Sequence, residues 1–396
     1  MSLTTPALAG KLAGLQSSAI RDLLELTARD DIISLAGGLP DAALMPNERI
    51  AAAAETALRD SAVLQYTESS GWPALREVIA ARESAKIGRA VSSAEVFITH
   101  GSQQALSLLA EVLLDPGALV IVEDPAYVGA LQVFRAAGAR IVAVPLDSEG
   151  MRLDILEDLL AAGERPAVVH TVSTFHNPGG VTLTPERRRR LAELAEAHGF
   201  WIIEDDPYGE LWFDRPAPAP VASYSPQVIR LSSVSKILAP ALRVGWLIAP
   251  ENVCRAVELL KQGADLCGSS LTQQITTDLL CDTPWLTTHI DTIRTTYGTR
   301  ARTLVTALRT TFGDRLHCTD PTGGMFLWAE FTDTTDTTTL LPTALDTGVA
   351  YVPGAAFAVT NTTPTTLRLC FTTSDEATLV EAVARLSKAL RVSAGV

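Results

Sequence analysis

The chain has 396 residues and an acidic composition, with 45 Asp and Glu against 32 Lys and Arg and a formal net charge of −13. Hydrophobic residues make up 47% and charged residues 19%, which excludes a disordered chain and provides for a large core without disulfide or metal support. The length predicts about two or three domains. The acidic balance argues against nucleic acid and anionic membranes as partners, because phosphate binding needs clustered Lys and Arg.

Targeting signals and metal-site patterns are not evident in the sequence. No stretch reaches about 18 uninterrupted apolar residues, so no membrane-spanning helix is expected. Residues 1–16 lack a basic stretch followed by an apolar core, so no signal peptide is expected. The five cysteines are widely spaced, which predicts free thiols, a cytoplasmic location and no zinc site. The one dense basic run, 187–190, falls in a helical pattern and is interpreted as a solvated helix face.

The middle of the chain alternates β-rich runs with helical patterns. Most of the runs are continuous Val, Ile and Leu, which is typical of strands buried on both faces of a sheet. Predicted strands cover 96–99, 119–123, 141–144, 167–171, 201–204, 228–231 and 244–248. Predicted helices between them cover 103–114, 128–137, 153–160 and 185–198. This alternation predicts a mostly parallel α/β sheet, and the short connection before 244–248 favours an antiparallel last strand.

Beyond Pro250 the pattern changes to helices followed by short strands. Predicted helices cover 253–262, 273–280 and 285–311, predicted strands cover 323–330, 349–352 and 366–371, and a last helix covers 376–390. This order predicts a second, smaller α+β domain. The Thr-rich stretches 332–339 and 360–366 are expected to be loops or strand edges.

Four segments place polar residues where a buried α/β core should be apolar. In the first, Lys236 follows a predicted strand, with small hydroxyl residues before it and Arg243 seven residues further on. A desolvated lysine has a lowered pKa and can form a Schiff base, and hydroxyls together with a guanidinium suit a phosphate. A surface lysine in a turn is an equally good interpretation of this segment alone.

The other three segments are weaker individually. Asp205 and Tyr208 follow a strand at the sheet edge where ligands bind in open α/β folds, although Asp also commonly caps turns. The run Asn177-Pro178-Gly179-Gly180 by itself strongly predicts a turn. The run Gly101-Ser102-Gln103 turns a strand into a helix, whose free N–H groups suit a phosphate.

In this order and spacing, the four segments resemble the fold-type I PLP-dependent aminotransferases of class I/II, most closely the kynurenine/α-aminoadipate aminotransferase subgroup. Further matching segments extend the resemblance from about residue 20 to the C-terminus: Ala36-Gly37-Gly38-Leu39-Pro40, Leu64-Gln65-Tyr66, Asp124-Pro125-Ala126-Tyr127, Gly323-Gly324-Met325-Phe326, Pro353-Gly354-Ala355-Ala356-Phe357 and Leu367-Arg368-Leu369. The resemblance implies an α/β fold of PLP-dependent transferase type I, with a mostly parallel seven-stranded sheet in the large domain. It implies a large PLP-binding domain over 47–286 and a small domain built from 1–46 and 287–396.

The resemblance also implies pyridoxal 5′-phosphate (PLP) as the cofactor and gives each matching residue a role. Lys236 would form the internal aldimine with PLP and then act as the catalytic base, and the Asp205 carboxylate would pair with the pyridine nitrogen. Asn177 and Tyr208 would bond the phenolic oxygen, and Tyr127 would stack on the ring. The implied phosphate ligands are Ser102, Gln103, Ser233, Arg243 and, from the neighbouring subunit, Tyr66.

The implied reaction is the ping-pong transfer of an amino group between an L-amino acid and a 2-oxo acid. Arg368 would grip the substrate α-carboxylate beside Gly38 and Asn177. A carboxylate at Asp205 would keep the ring nitrogen protonated, so that the ring accepts the electrons released at Cα. The Lys236 amine would then move the proton, which is general acid–base catalysis. A homodimer with shared active sites follows from the role of Tyr66.

Some positions depart from the subgroup's usual pattern. Ser173 and His176 stand where it has proline and glutamine, Gly179 stands where it often has a larger side chain, and Ala241 replaces a glycine. His176 is interpreted as a packed or solvent-facing histidine, with a contact to cofactor or substrate as the alternative. Arg21 lies in a segment like the one that covers the active site in α-aminoadipate aminotransferases, where an arginine meets the distal acid. A helix-surface arginine is an equally good interpretation.

Two other functions use the same scaffold. One is a different PLP-dependent reaction of an amino acid, as in an oxidase, lyase or cyclase, because fold and cofactor site do not fix the reaction type. The other is the effector-binding domain of a winged-helix transcription regulator. It is disfavoured because only about 20 residues precede the match and they are not basic.

Overall fold

The structure is a computed structural model that describes residues 29, 31–360 and 363–393. The described residues form fourteen strands: β1 (Ile33–Ser34), β2 (Val96–Thr99), β3 (Leu119–Asp124), β4 (Arg140–Asp147), β5 (Gly150–Met151), β6 (Val168–Thr171), β7 (Trp201–Asp205), β8 (Val228–Ser233), β9 (Gly245–Ile248), β10 (Leu316–Cys318), β11 (Phe326–Phe331), β12 (Val349–Ala350), β13 (Val352–Pro353) and β14 (Thr366–Cys370). They fall into three sheets, of eight, four and two strands.

The described residues also form eleven α-helices. These are α1 (Asn47–Ala57), α2 (Pro73–Ile87), α3 (Ser102–Leu113), α4 (Val128–Ala136), α5 (Leu153–Ala161), α6 (Pro185–His198), α7 (Glu251–Ala264), α8 (Ser270–Cys281), α9 (Thr283–Phe312), α10 (Thr337–Asp346) and α11 (Glu376–Ser393). None of the described helices is long and apolar enough to cross a membrane.

The largest sheet has the order β2-β9-β8-β7-β6-β3-β4-β5. The pairs from β8 to β4 are parallel, and β9 is antiparallel to both of its neighbours. The predicted mostly parallel sheet and its antiparallel last strand are therefore confirmed. The eighth strand, β5, was not predicted because two residues carry no periodicity; it pairs antiparallel with the edge strand β4.

Helices cover both faces of this sheet, which is why its strands are continuous apolar runs. On one face α3, α4 and α7 bury Leu109, Phe134 and Val257. On the other face α2, α5 and α6 pack against the sheet. Helix α6 shows the predicted punctuation, since the Thr184 hydroxyl caps its first turn and Gly199 follows its last residue in the left-handed region.

The second sheet, β10-β11-β14-β13, is antiparallel and packs with α9 and α11. The short strand β1 pairs with β12, and the Cys370 N–H donates to the Leu35 carbonyl, so the segment after β1 is tied to this part of the molecule. The prediction that 332–339 is a loop or strand edge was wrong at its end. Helix α10 begins at Thr337, because the Asp336 carboxylate accepts the N–H groups of Thr338 and Thr339.

The interpretation of the basic run 187–190 as a solvated face is correct for the exposed Arg189 and Arg190 and wrong for Arg188. Arg188 is fully buried and donates to the carbonyls of Leu183 and Ser173, with Glu204 Oε1 at 3.4 Å. A single arginine in a basic helical run turned inward because a buried carboxylate on β7 faces it. Composition alone does not reveal such a partner.

Candidate active site

A cavity of about 290 Å³ opens at the carboxyl ends of β6, β7 and β8, where ligands bind in open α/β sheets. All but two of the residues predicted for the site line it: Gly38, Ser102, Gln103, Tyr127, Asn177, Asp205, Tyr208, Ser233, Lys236, Arg243 and Arg368. The Tyr66 side chain does not line it and is 78% exposed. Arg21 lies outside the described residues.

Lys236 ends the short 3-10 turn that follows β8, and its amine points into the cavity. Nζ donates to the Gly38 carbonyl at 2.9 Å, and no carboxylate of the described residues lies within 4 Å of it. Burial without a counter-ion lowers the pKa of Lys236 to about 8. A buried amine with a lowered pKa is a nucleophile, so the interpretation as a surface lysine in a turn was wrong.

The three consecutive carboxylates at the end of β7 differ in their partners. Glu204 accepts from Ser173, Val221 and Ala222, and Asp206 accepts from Arg230 and the Gly209 N–H.

Between them, Asp205 accepts no hydrogen bond from the described residues, although its side chain is only 4% exposed and lines the cavity. Burying a carboxylate without a hydrogen-bond donor costs free energy, so a cationic or N–H-bearing ligand is expected to bind beside Asp205.

An anion cradle lies on the opposite side of the cavity, at the N-terminus of α3. Gly101 caps this helix with φ +75°, and a Cβ there would lie 2.7 Å from the Arg243 Nη2. The Arg243 guanidinium is held beside it by donation to the His100 carbonyl at 2.7 Å. The free N–H groups of Ser102 and Gln103, the helix dipole and the guanidinium together favour a phosphate.

Three further polar side chains line the same cavity as the Asp205 carboxylate and the cradle. Asn177 Nδ2 lies 3.5 Å from Tyr208 Oη, and Tyr127 Oη donates to Gln103 Oε1 at 3.1 Å. Burial raises the pKa of both phenols, that of Tyr127 to about 12. Both tyrosines therefore remain protonated donors at neutral pH.

Arg368 is a buried cation on β14 that reaches the same cavity. Nη1 donates to Asn177 Oδ1 at 2.8 Å and Nη2 donates to the Ala36 carbonyl at 2.7 Å, while Nε has no partner. Its guanidinium lies between the rings of Phe326 and Phe357, 4.2 and 4.9 Å from their centroids. Burial lowers the pKa of Arg368 to about 10, so it stays charged at neutral pH and suits a carboxylate.

Several residues that line the cavity were given no role from the sequence, and three of them lie beside predicted site residues. Phe326 and Phe357 clamp Arg368, and Ser235 lines the cavity beside Ser233. Phe326 lies in a strand that pairs with the strand of Arg368, so a correct strand pairing would have placed it near the arginine. Phe357 lies in a segment that matches the family, but that match gave it no role.

His176 does not line the cavity, and its interpretation as a packed histidine is confirmed. Nδ1 accepts the Gly179 N–H at 3.0 Å, which places the ring proton on Nε2, 3.0 Å from Glu123 Oε2. A Cβ at Gly179 would lie 3.1 Å from Nδ1. The departures at His176 and Gly179 are therefore structurally linked, because a glycine at 179 makes room for the imidazole of His176.

The unpartnered groups of the cavity can be matched with the functional groups of PLP. Asp205 lacks a donor, which the pyridine nitrogen of PLP provides, and Lys236 offers an amine without a counter-ion. The cradle at Gly101 and Arg243 would hold a phosphate, and the two phenols line the same cavity. The residues present fit PLP.

Comparison with known proteins decides the family. The family model described as aminotransferase class I and II matches residues 30–386. The chain belongs to the class I and II aminotransferases. It is a PLP-dependent enzyme that transfers an amino group between an amino acid and a 2-oxo acid.

Relatives of this aminotransferase chain match it over nearly their full length. It is 38% identical to aromatic-amino-acid aminotransferase 1 of Thermococcus litoralis, over 96% of this chain and 93% of that one. It is 39% identical to 2-aminoadipate transaminase of Thermus thermophilus, over 96% of both chains. The crystal structure of Pyrococcus horikoshii kynurenine aminotransferase, in complex with PMP, has a TM-score of 0.92 and 37% identity over 98% of this chain and 97% of that one.

Proposed function

We propose that the cavity residues carry out the transfer between an L-amino acid and a 2-oxo acid in two half-reactions, with Lys236 as the acid–base group. The observation that carries this proposal is the Lys236 amine, buried without a counter-ion in the same cavity as an unpaired carboxylate and a buried guanidinium. When bound, PLP supplies the electron sink that stabilises the substrate after Cα loses its proton.

Arg368 binds the substrate α-carboxylate in this proposal. Its Nε has no hydrogen-bond partner among the described residues, and Phe326 and Phe357 pack against the guanidinium. The N–H groups of the guanidinium are therefore oriented before the substrate binds. Asn177 connects this end of the cavity to Tyr208. The carboxylate is thereby held at one point, which orients the Cα–H bond toward Lys236 Nζ.

Lys236 Nζ takes the proton from Cα and returns it elsewhere on the reacting group. The amine suits this task because its pKa, about 8, lies close to neutral pH, where a base has both an available lone pair and enough basicity. Among the residues that the structure describes, its only hydrogen bond goes to the Gly38 carbonyl, which leaves the lone pair free once the amine is neutral.

A single-turnover half-reaction tests the proposal. The PLP-loaded enzyme is mixed with one L-amino acid and no acceptor, and both the cofactor absorbance and the released product are measured. We expect the visible band to disappear with one equivalent of 2-oxo acid per site, and a different 2-oxo acid to restore it. Release of CO₂, hydrogen peroxide or free ammonia instead would favour the decarboxylase, oxidase or lyase alternative.

We further propose a homodimer in which Tyr66 completes the partner's phosphate site. Tyr66 lies outside its own cavity and is 78% exposed, and the neighbouring Leu64 is 67% exposed, which suits a surface covered by a second copy. Mixing Lys236→Ala chains with Tyr66→Ala chains tests the sharing. A hybrid dimer then has one site with both native residues, so activity should rise above that of either variant; no rise would contradict the sharing.

The remaining expectations of the sequence are proposed on the same basis. The large domain of 47–286 is supported by the eight-stranded sheet, which falls entirely within it, and the small domain by the sheet formed after residue 315. The five cysteines are all free, which supports a reducing, cytoplasmic location. Arg21 remains a candidate for the distal end of an acidic substrate. If Arg21→Ala leaves the ratio of activity on acidic and neutral substrates unchanged, that role is wrong.

A further inference from the structure

The Asp205 carboxylate has one polar side chain near it that the sequence did not single out. This is His170 on β6, whose Nε2 lies 3.9 Å from Asp205 Oδ2. His170 pairs with Ile203 in the parallel register of β6 and β7. Since residues two apart on a strand share a face, His170 and Asp205 lie on the same face of the sheet, one step apart along the strands.

His170 is as buried as the carboxylate that it faces. The two side chains are 2% and 4% exposed. The Phe134 ring of α4 packs edge-on against the imidazole at 5.7 Å between centroids. His170 Nε2 has no hydrogen-bond partner in the part of the chain that the structure describes.

Two unpartnered buried groups therefore face each other. Each costs free energy while it lacks a partner, and a donor on one side with an acceptor on the other removes both costs together. A separation of 3.9 Å exceeds a hydrogen bond by about 1 Å. Hydrogen bonds of catalytic groups are often long without ligand and shorten when ligand binds.

We propose that His170 is a positioning residue that donates a hydrogen bond from Nε2 to Asp205. The donated bond fixes the orientation of the carboxylate, so that it stays turned toward the ring nitrogen of PLP. His170 touches neither substrate nor cofactor and acts through Asp205. The proposal rests on the proposed role of Asp205.

The test compares two substitutions that separate the donor from the ring. His170→Phe keeps the ring packed against Phe134 and removes the donor, whereas His170→Gln keeps a neutral N–H donor without the ring. Each variant is loaded with PLP that carries ¹⁵N in its ring. The ¹⁵N resonance reports how fully the ring nitrogen is protonated, which a merely structural role would not move.

We expect His170→Phe to move the ¹⁵N resonance toward the unprotonated value and to lower kcat about tenfold, as for loss of a hydrogen bond to a charged group. His170→Gln should stay near the wild type in both measurements. Phe134→Leu serves as the packing control, since it should lower the melting temperature and leave the resonance in place. A wild-type resonance in His170→Phe, or an equal shift in both His170 variants, would overturn the proposal.

Two further measurements keep the outcomes distinct. If His170→Phe does not fold, the imidazole Nε2 proton of His170 is followed in the wild-type protein, with His170→Gln used to assign it. A downfield shift on adding PLP is expected, and an unchanged signal overturns the proposal. Asp205→Asn should itself move the ring ¹⁵N resonance; if it does not, the proposed role of Asp205 has failed rather than that of His170.

Discussion

Two neighbouring groups of charged residues near the end of β7 differ in whether their buried charges are paired within the protein. The first is an ion-pair chain, largely buried, made of Arg82, Glu210, Lys86, Glu83, Arg230, Asp206, Glu204 and Arg188. The second is the cavity group of Lys236, Asp205 and Arg368. In the ion-pair chain every charge faces an opposite charge, whereas none of the three cavity residues does.

The difference lies in what completes each group. The ion-pair chain is complete within the protein, so removing one member leaves a buried charge unpaired. The cavity group is left open, and the cofactor and substrate complete it. Within one short segment, Glu204 and Asp206 belong to the first group and Asp205 to the second. Removing an ion-pair member should therefore cost stability, and removing a cavity member should cost activity.

The largest effect is expected for Lys236→Ala. Turnover should fall by at least about 10⁴-fold, because no other described amine in the cavity can replace the acid–base group. Circular dichroism and the melting temperature of the protein without cofactor should remain close to the wild type, since Lys236 gives up a single hydrogen bond. Lys388→Ala, on the exposed side of α11, is the matched control and should leave turnover unchanged.

The pair of variants Asp205→Asn and Asp206→Asn tests the difference between the two groups most directly, because the two carboxylates are adjacent in sequence. Asp205→Asn should lower kcat about 10³-fold while leaving the cofactor-free protein as stable as the wild type or more so, since it removes a buried unpaired charge. Asp206→Asn should lower the melting temperature, because Arg230 loses one of its buried carboxylate partners. Equal loss of stability in both variants would contradict the distinction.

Arg230→Met tests the ion-pair chain. The substitution leaves Glu83 and Asp206 buried without their common cation, and we expect it to lower the free energy of unfolding by about 3 kcal/mol. Denaturant unfolding measures the change. Arg255→Met is the control, because Arg255 is 79% exposed and its pair with Glu251 should contribute less than about 1 kcal/mol. A similarly small loss of unfolding free energy in both variants would mean that the ion-pair chain contributes no more stability than an exposed ion pair.

The smallest effect concerns pH. Burial lowers the pKa of Lys236 to about 8, so the reactive neutral amine increases about tenfold per pH unit below that value and levels off above it. The rate at which cofactor-free protein develops visible absorbance with PLP should follow this course. Binding of PLP to Lys236→Ala, followed by fluorescence, corrects for titration of the cofactor itself. A rate that still rises toward pH 10 would mean that the amine has its ordinary pKa.

The sequence predicted the framework of the site well, and the reasons are physical. Continuous apolar runs mark strands buried on both faces, so seven strands of the large sheet and their mostly parallel arrangement were predicted from the sequence pattern, and the polar residues after β7 and β8 stood out against it. The spatial order of the strands was not predicted. The sequence analysis did not identify side chains that act through tertiary contacts. Arg188 was read as solvated because its partner Glu204 lies on another element. His170 gave no signal, and Phe357 was quoted in a matching segment without a role, since a histidine in a strand and a phenylalanine in a loop are ordinary until their neighbours are known.

The bond between Arg368 and the Ala36 carbonyl spans 332 positions of the chain. During synthesis the N-terminal part of a protein leaves the ribosome first. Ala36 and Arg368 are therefore translated far apart in time, and the guanidinium that would bind a carboxylate joins the cavity only after β14 has emerged. The carboxylate-binding end of the site is thus among the last parts of the molecule that can form during synthesis.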